Sequence, residues 1–104
     1  MSATPHPVVI VGAGLAGLTV ALHLADRLPV IVLAKRSLGE GATAWAQGGI
    51  VGVLGTDDSI ESHVHDTQEA GAGLVDEHIA RFIAEQSAQA IDWLVKSGVP
   101  FSPD

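Results

Sequence analysis

Residues 8–24, Val8-Val-Ile-Val-Gly-Ala-Gly-Leu-Ala-Gly-Leu-Thr-Val-Ala-Leu-His-Leu24, decide how this chain folds. Four β-branched residues lead directly into a Gly-x-Gly-x-x-Gly turn, and apolar residues at helical spacing follow the turn. A strand, a glycine turn and a helix in this order are typical of the βαβ unit that binds a dinucleotide. The stretch therefore predicts that the N-terminal part of the chain binds a nucleotide cofactor.

Each glycine of the turn has its own physical role. Gly12 lets the backbone turn tightly out of the strand, Gly14 lets a pyrophosphate approach the backbone, and Gly17 lets the helix lie close to the sheet. The first N–H groups of the helix and the positive end of its dipole then face the phosphates. Because a chain with 12 glycines can produce this spacing by chance, the flanking strand and helix carry the prediction. The alternative is a βαβ unit that binds no nucleotide.

The elements next to the turn complete this unit. The helix carries apolar residues at helical spacing, namely Leu15, Leu18, Leu22 and Ala25. It ends before Pro29, which cannot continue a helix. Residues 30–33, Val-Ile-Val-Leu, form a continuous apolar run. We therefore expect a parallel partner strand that is buried on both faces.

The composition of the chain changes after the second strand. Residues 37–49 are small and rich in glycine, with neither a helical nor a strand period. Long loops of this kind usually bind a ligand. We expect residues 50–54 to form a short strand, because they are apolar and mostly β-branched.

Two helices are expected in the second half of the chain. The first runs from about residue 59 to about residue 70, with Asp58 and Glu61 in capping-box positions. We expect its inner face to consist of Ile60, Val64 and Thr67. The second runs from a cap at Asp76 to about residue 97. Its predicted apolar stripe consists of Ile79, Phe82, Ile83, Ala90 and Leu94, widened by Ile91 and Val95.

The composition limits the class of protein. A chain of 104 residues is one domain or part of one, and its 47% hydrophobic residues supply material for a core. The chain has no cysteine, so it holds neither a disulfide nor a thiolate metal site. The N-terminus lacks the pattern of a signal peptide, and no apolar run reaches the length of a membrane span. We therefore expect a cytoplasmic protein with no membrane partner.

The net charge of −7 is unevenly distributed. Residues 1–54 hold two acids and three bases, whereas residues 55–104 hold ten acids and two bases. The acidic second half argues against a nucleic-acid partner, and we interpret it as solvated helix faces. His63, His65 and Asp66 suggest a metal ion, but residues two apart on a helix point to different faces. We therefore predict no metal site.

These elements predict an α/β fold with an incomplete parallel sheet. A βαβ unit followed by a helical hairpin supplies two strands, whereas a doubly wound sheet usually has five or six. We expect residues 1–104 to be the N-terminal part of a larger cofactor-binding domain, with residues 1–7 as a flexible N-terminus. The remainder of that domain and a capping domain would lie outside these residues.

The end of the second strand bears on the identity of the cofactor. In units that bind NAD or FAD, an acidic residue at this place usually accepts hydrogen bonds from ribose hydroxyls. Here Ala34 occupies the place, and Lys35 and Arg36 follow it. Taken alone, two cations without a carboxylate favour a 2′-phosphate, and therefore NADP.

The glycine-rich loop indicates a different cofactor. Residues 43–50, Thr-Ala-Trp-Ala-Gln-Gly-Gly-Ile, resemble the signature of the flavoprotein family that contains succinate dehydrogenase, fumarate reductase and L-aspartate oxidase. Residues 33–35, 57–63 and 66–76 are similar to the aspartate-oxidase branch, and residues 91–101 resemble the family's helix and following turn. The resemblance therefore extends over nearly the whole chain. It implies a Rossmann-like FAD-binding domain, and we favour FAD over NADP.

One position distinguishes branches of this family. In many membrane-bound members, a histidine four residues before the alanine of Ala-Gln-Gly-Gly attaches covalently to the flavin. That position is Ala42 here, and its side chain has no nucleophilic nitrogen. The resemblance thus implies non-covalent FAD, as in the aspartate oxidases and the soluble fumarate reductases. Where the family often has a serine and an aromatic residue, this chain has Ala42 and Ala44. The resemblance implies that Trp45 would take the aromatic role.

The resemblance also implies which residues contact the cofactor. The phosphate turn and the start of its helix would contact the pyrophosphate through Gly12, Ala13, Gly14, Leu15, Ala16 and Gly17. Lys35 would contact the adenosine side. The ribityl chain and flavin ring would lie along Ala42, Thr43, Ala44, Trp45, Ala46, Gln47, Gly48 and Gly49. No catalytic residue is predicted within the 104 residues.

The activity that the resemblance implies is the FAD-dependent oxidation of L-aspartate to iminoaspartate. Oxygen or fumarate would reoxidise the flavin, and the product would feed quinolinate and NAD (pyridine nucleotide) biosynthesis, with quinolinate synthase as a partner. We expect the 104 residues alone to be inactive. The alternatives are a soluble fumarate reductase or succinate dehydrogenase-type flavoprotein, and a nucleotide-binding module without chemistry.

Overall fold

The computed structural model of this chain describes residues 5–46 and 49–102. Its elements, in chain order, are β1 (Val8–Val11), α1 (Leu15–Ala25), β2 (Val30–Leu33), a short 3₁₀ helix (Ala42–Trp45), α2 (Ile60–Gly71) and α3 (Glu77–Lys96). They form two compact units, residues 1–48 and residues 49–104. The expected flexible N-terminus, residues 1–7, lies partly outside the described residues.

The first unit is a βαβ unit with a parallel strand pair. β1 pairs with β2 in the register that places Val8 opposite Val30 and Val11 opposite Leu33. Backbone hydrogen bonds extend the ladder at both ends, from the Val8 N–H to the Pro29 carbonyl (2.9 Å) and from the Gly12 N–H to the Leu33 carbonyl (2.8 Å). α1 connects the strands and packs against both of them. This architecture confirms the predicted α/β fold and the N-terminal part of a Rossmann-like domain.

β2, which was expected to be buried on both faces, differs from expectation, and β1 has the same pattern of burial. Along each strand, half-buried and exposed residues alternate, and Val11 is 83% exposed. Only α1 covers the sheet within the part of the chain that the structure describes, so only one face is shielded. The prediction of burial on both faces is therefore wrong for this unit. The apolar runs still have the composition of strands that a second layer covers.

The apolar residues at helical spacing in α1 do not form the face that packs on the strands. Leu15, Leu18 and Leu22 are 39–59% exposed, whereas Gly17, Ala21 and Leu24 are half-buried. The helix is apolar on all sides, so its leucines do not distinguish an inner face from an outer one. On the inner face, Gly17 and Ala21 allow the helix to approach the sheet closely, and Leu24 packs at its end.

The second unit is a helical hairpin with a side-chain cap at the start of each helix. The Ser59 hydroxyl accepts a hydrogen bond from the Ser62 N–H (3.1 Å), and an Asp76 carboxylate oxygen accepts one from the Ile79 N–H (3.0 Å). The expected capping box of Asp58 and Glu61 is wrong, because the Asp58 carboxylate instead accepts from the Ser59 N–H (2.7 Å). Each helix thus begins at a residue that satisfies one of its unpaired N–H groups.

Small side chains form the contact between α2 and α3. Val64, Ala80 and Ala84 are buried, with Ile60 and Val75 packed against them. Ser87 and Leu94 continue the buried stripe of α3. In contrast, Ile79, Phe82, Ile83 and Val95, all in the predicted stripe, are 51–59% exposed. The prediction is wrong for these four residues, whereas Leu94 is buried and Ile91 is half-buried as expected. α3 has two apolar faces, and the smaller side chains permit the closer approach to α2.

Residues 50–54 are not a strand. Gly52 lies so close to α3 that an added Cβ would be 2.6 Å from Ile91 Cδ1. The Val53 N–H donates to the Ser87 hydroxyl at 3.1 Å, which in turn donates to the Ala84 carbonyl at 2.7 Å. The segment is therefore held by a helix side chain instead of a neighbouring strand. Among the described residues, no helix is long and apolar enough to cross a membrane.

Candidate nucleotide-binding site

A surface cavity of about 290 Å³ lies at the carboxyl ends of β1 and β2. The chain segments that follow the two strands line it: Gly12, Ala13 and Gly14 after β1, and Ala34, Lys35, Arg36, Ser37, Gly39, Glu40 and Gly41 after β2. Because the strands are parallel, their carboxyl ends meet at one edge of the sheet. In open α/β sheets this edge is where ligands bind.

The first and third glycines of the turn have the geometry expected of them. Gly12 has a φ of +114°, a conformation that residues with a Cβ rarely adopt. A Cβ added to Gly17 would collide with the Gly12 carbonyl oxygen and lie 3.4 Å from Ile10 Cγ2. Gly17 therefore permits the close packing of α1 on β1, which positions the start of the helix beside the cavity.

The N-terminus of α1 has no side-chain cap from its own N-cap residue, Gly14. Instead, the Leu15 N–H donates to the hydroxyl of Thr43, 28 residues further along the chain, at 3.4 Å. This long hydrogen bond attaches the short 3₁₀ helix to the helix start. The arrangement leaves small residues, backbone N–H groups and the positive end of a helix dipole at the cavity, the features that bind a phosphate group.

Gly14 itself keeps the entrance to this N-terminus open. A Cβ added to it would be in ordinary contact with the Thr43 hydroxyl, at 3.5 Å, and its backbone has φ −80° and ψ −176°. Glycine is therefore not required here by backbone strain or by protein packing. The absence of a side chain instead creates space in front of the helix, and this observation fits a pyrophosphate at that position.

The other wall of the cavity carries charge. Lys35 and Arg36 are exposed and line it together with Glu40. The ion pairs found in residues 5–46 and 49–102 all lie in the second unit, joining Arg81 to Glu61 and Glu77, and Lys96 to Asp92. No described carboxylate therefore pairs with Lys35 or Arg36 within 4 Å, and both cations are available to an anionic ligand.

The structure brings some of the predicted cofactor residues together. Gly12, Ala13, Gly14 and Lys35 line the cavity, and Thr43 contacts the helix N-terminus beside it. The remaining described residues of the predicted set within the first unit lie along α1, along the 3₁₀ helix or directly after it, without lining the cavity: Leu15, Ala16, Gly17, Ala42, Ala44, Trp45 and Ala46. Gly49 begins the second unit. Gln47 and Gly48 lie outside the described residues.

Sequence reasoning missed part of the cavity wall. Ser37, Gly39, Glu40 and Gly41 line it, although none of them was predicted as a site residue. A hydrogen bond from the Glu40 N–H to the Ser37 carbonyl (3.1 Å) and a φ of +91° at Gly39 define a tight turn after β2. A Ser-Leu-Gly-Glu sequence with glycine in the third position was the signal for that turn.

A βαβ unit with this glycine turn and a cavity at its strand ends defines a dinucleotide-binding domain. Comparison with protein families specifies the class further. The profile of the FAD binding domain family matches residues 7–104, so the chain belongs to that family and its cofactor is FAD.

Curated relatives carry the same segment. The chain is 59% identical over 97 residues to L-aspartate oxidase 1 of Ralstonia nicotianae, and the aligned residues make up 93% of this chain and 18% of that protein. It is 50% identical over 99 residues to L-aspartate oxidase of Pseudomonas aeruginosa, covering 95% and 18% of the two chains. It is 52% identical over 97 residues to the Vibrio cholerae L-aspartate oxidase, covering 93% and 18%. The chain thus spans 18% of the length of these relatives.

Proposed function

We propose that this chain is the FAD-binding segment of an L-aspartate oxidase and that it holds FAD non-covalently. The observation that carries the proposal is the cavity at the carboxyl ends of β1 and β2, which joins an open glycine turn to two available cations. Relatives named L-aspartate oxidase match 93–95% of the chain at 50–59% identity, and they support the choice of substrate.

The contribution of each part of the site follows from its chemistry. The N–H groups at the start of α1 would bind the pyrophosphate, and Lys35 would contact the adenosine side of the cofactor. The cofactor residues predicted from sequence remain our proposal for the binding set, with residues 42–49 along the ribityl chain and the flavin ring. Their small side chains would let backbone N–H groups approach the cofactor.

When bound, FAD supplies the two-electron oxidation by which L-aspartate would become iminoaspartate. The described residues would contribute the nucleotide end of the cofactor site and part of the wall along the flavin, and the groups that hold the substrate carboxylates would come from other parts of the enzyme. We also propose that oxygen or fumarate accepts the electrons from the reduced flavin. The enzyme would act in NAD biosynthesis, in the cytoplasm, with quinolinate synthase as a partner.

Flavin bleaching in the full-length protein tests the proposed substrate. Without oxygen, addition of L-aspartate should bleach the flavin absorbance near 450 nm, and D-aspartate should leave it unchanged. Bleaching by succinate, without bleaching by L-aspartate, would contradict the proposal and favour a succinate dehydrogenase-type flavoprotein. A purified protein that binds no flavin would contradict it as well.

A further inference from the structure

The second strand of the nucleotide-binding unit ends without the carboxylate that usually binds a ribose. Ala34 occupies that place, and Lys35 and Arg36 next to it would attract a 2′-phosphate. A site with only these groups would prefer NADP-like ligands over FAD, whose adenosine ribose carries free hydroxyls. Another group in the cavity is therefore needed to account for the preference of an FAD-binding domain.

Glu40 lies on the wall of the same cavity as Ala34 and Lys35. The hydrogen bond from its N–H to the Ser37 carbonyl (3.1 Å) closes a four-residue turn, and Gly39 at the third position has a φ of +91°. Because only that central residue has a positive φ, the turn is of type II. The turn reverses the chain after Lys35 and Arg36, and Glu40 therefore lies on the wall of the cavity at the end of β2.

The Glu40 side chain is available for a ligand. The residue is exposed, and in the described ranges its carboxylate forms no ion pair within 4 Å with Lys35, Arg36 or any other base. It is the acidic residue among those that line the cavity. A carboxylate accepts hydrogen bonds from two vicinal hydroxyls and repels a phosphate in the same place.

We propose that Glu40 supplies from the loop the carboxylate that the end of β2 lacks, and so determines nucleotide specificity. It accepts hydrogen bonds from the ribose hydroxyls of the adenosine and disfavours a 2′-phosphate that Lys35 and Arg36 would otherwise attract. This inference rests on the proposed FAD site. It adds a specificity-determining residue that the sequence motif does not contain.

Competition binding in the full-length apoprotein tests this role. FAD is first removed from the holoenzyme. A fixed amount of FAD is then added back to the apoprotein, and the affinities for ADP and for adenosine 2′,5′-bisphosphate are measured by their competition with this FAD. We expect the wild type to prefer ADP. Glu40→Gln should reduce that preference by about ten- to a hundredfold, because a hydrogen bond to a charged acceptor is lost and a repulsion is removed. Glu40→Asp, which keeps the charge, should retain most of the preference.

Glu85→Gln is the matched control. Glu85 is exposed on α3, and the same change of charge there should leave the preference at the wild-type value. A Glu40→Gln protein that binds FAD and keeps the wild-type preference would overturn the inference but leave the FAD site standing. A wild-type apoprotein that binds neither FAD nor ADP would contradict the proposed function, and the role of Glu40 with it.

Discussion

At the scale of single residues, Ala42 bears on how the flavin is attached. It begins the 3₁₀ helix of the first unit, two residues after Glu40, and its side chain is exposed. A covalent bond to the flavin needs a nucleophilic atom, and a methyl group has none. The neighbouring hydroxyl of Thr43 already accepts a hydrogen bond from the start of α1. Affinity for FAD must then come from the phosphate turn and the loop together.

Acid precipitation of the full-length holoenzyme checks the attachment. We expect the yellow flavin to remain in the supernatant while the protein pellet is colourless, because the alanine at position 42 has no nucleophilic atom. The absorbance of both fractions is read near 450 nm. Flavin that stays with the washed pellet would contradict non-covalent binding.

At the scale of elements, the helical hairpin separates into a packed face and an exposed face. Val64 is 2% exposed and Ala84 3% exposed at the contact of α2 with α3, whereas Ile83, adjacent to Ala84 in sequence, is 59% exposed. Neighbouring positions on one helix therefore differ sharply in burial. Substitutions at buried positions of the hairpin should therefore reduce stability much more than substitutions at exposed positions.

We predict that Val64→Ala lowers the free energy of unfolding of the 104-residue chain by about 2 kcal/mol, since it removes two buried methyl groups. Ile83→Ala removes a larger side chain from an exposed site and should change that free energy by less than about 0.5 kcal/mol. Urea titrations followed by helix circular dichroism give both values. Equal losses for the two variants would show that α3 packs through its other face.

The secondary-structure elements could be predicted from short stretches of sequence, whereas the packed faces of the helices could not. The strand, glycine turn and helix of residues 8–24 were predicted because their conformations depend on β-branching, glycine and helical spacing within one short stretch. The packed faces of α1 and α3 were not, because both helices carry apolar residues on more than one side. The choice of the packed face then depends on which side chains are small enough for close approach. The fit also depends on the side chains of the element against which the helix packs.

The same distinction applies to the site. Gly12, Gly14 and Lys35 were identified because a motif fixes their positions relative to the strand ends. Glu40 was not, since its place in the cavity depends on a turn between residues 37 and 40 and not on strand or helix periodicity. The expected strand over 50–54 failed for a similar reason. Its apolar residues pack on α3 with a hydrogen bond to Ser87, and periodicity does not encode that contact.

At the scale of the whole molecule, we propose that the pyrophosphate of FAD binds at the glycine turn at the end of β1. The chain belongs to the FAD binding domain family over residues 7–104, and the first unit contains the turn, the cavity and the cations. The second unit, a capped helical hairpin, contains none of the residues that line this cavity. The decisive substitution therefore belongs in the first unit.

Gly14→Val tests that claim most directly. The φ of −80° and ψ of −176° at this position are accessible to valine, so the fold should be retained, but the side chain would occupy the space in front of α1. We measure FAD content and thermal unfolding of the full-length protein, with Ala88→Val, at an exposed position of α3, as the control. We expect Gly14→Val to abolish FAD binding while the apoprotein unfolds normally and the control keeps its flavin. A Gly14→Val protein with the wild-type content of FAD would contradict it.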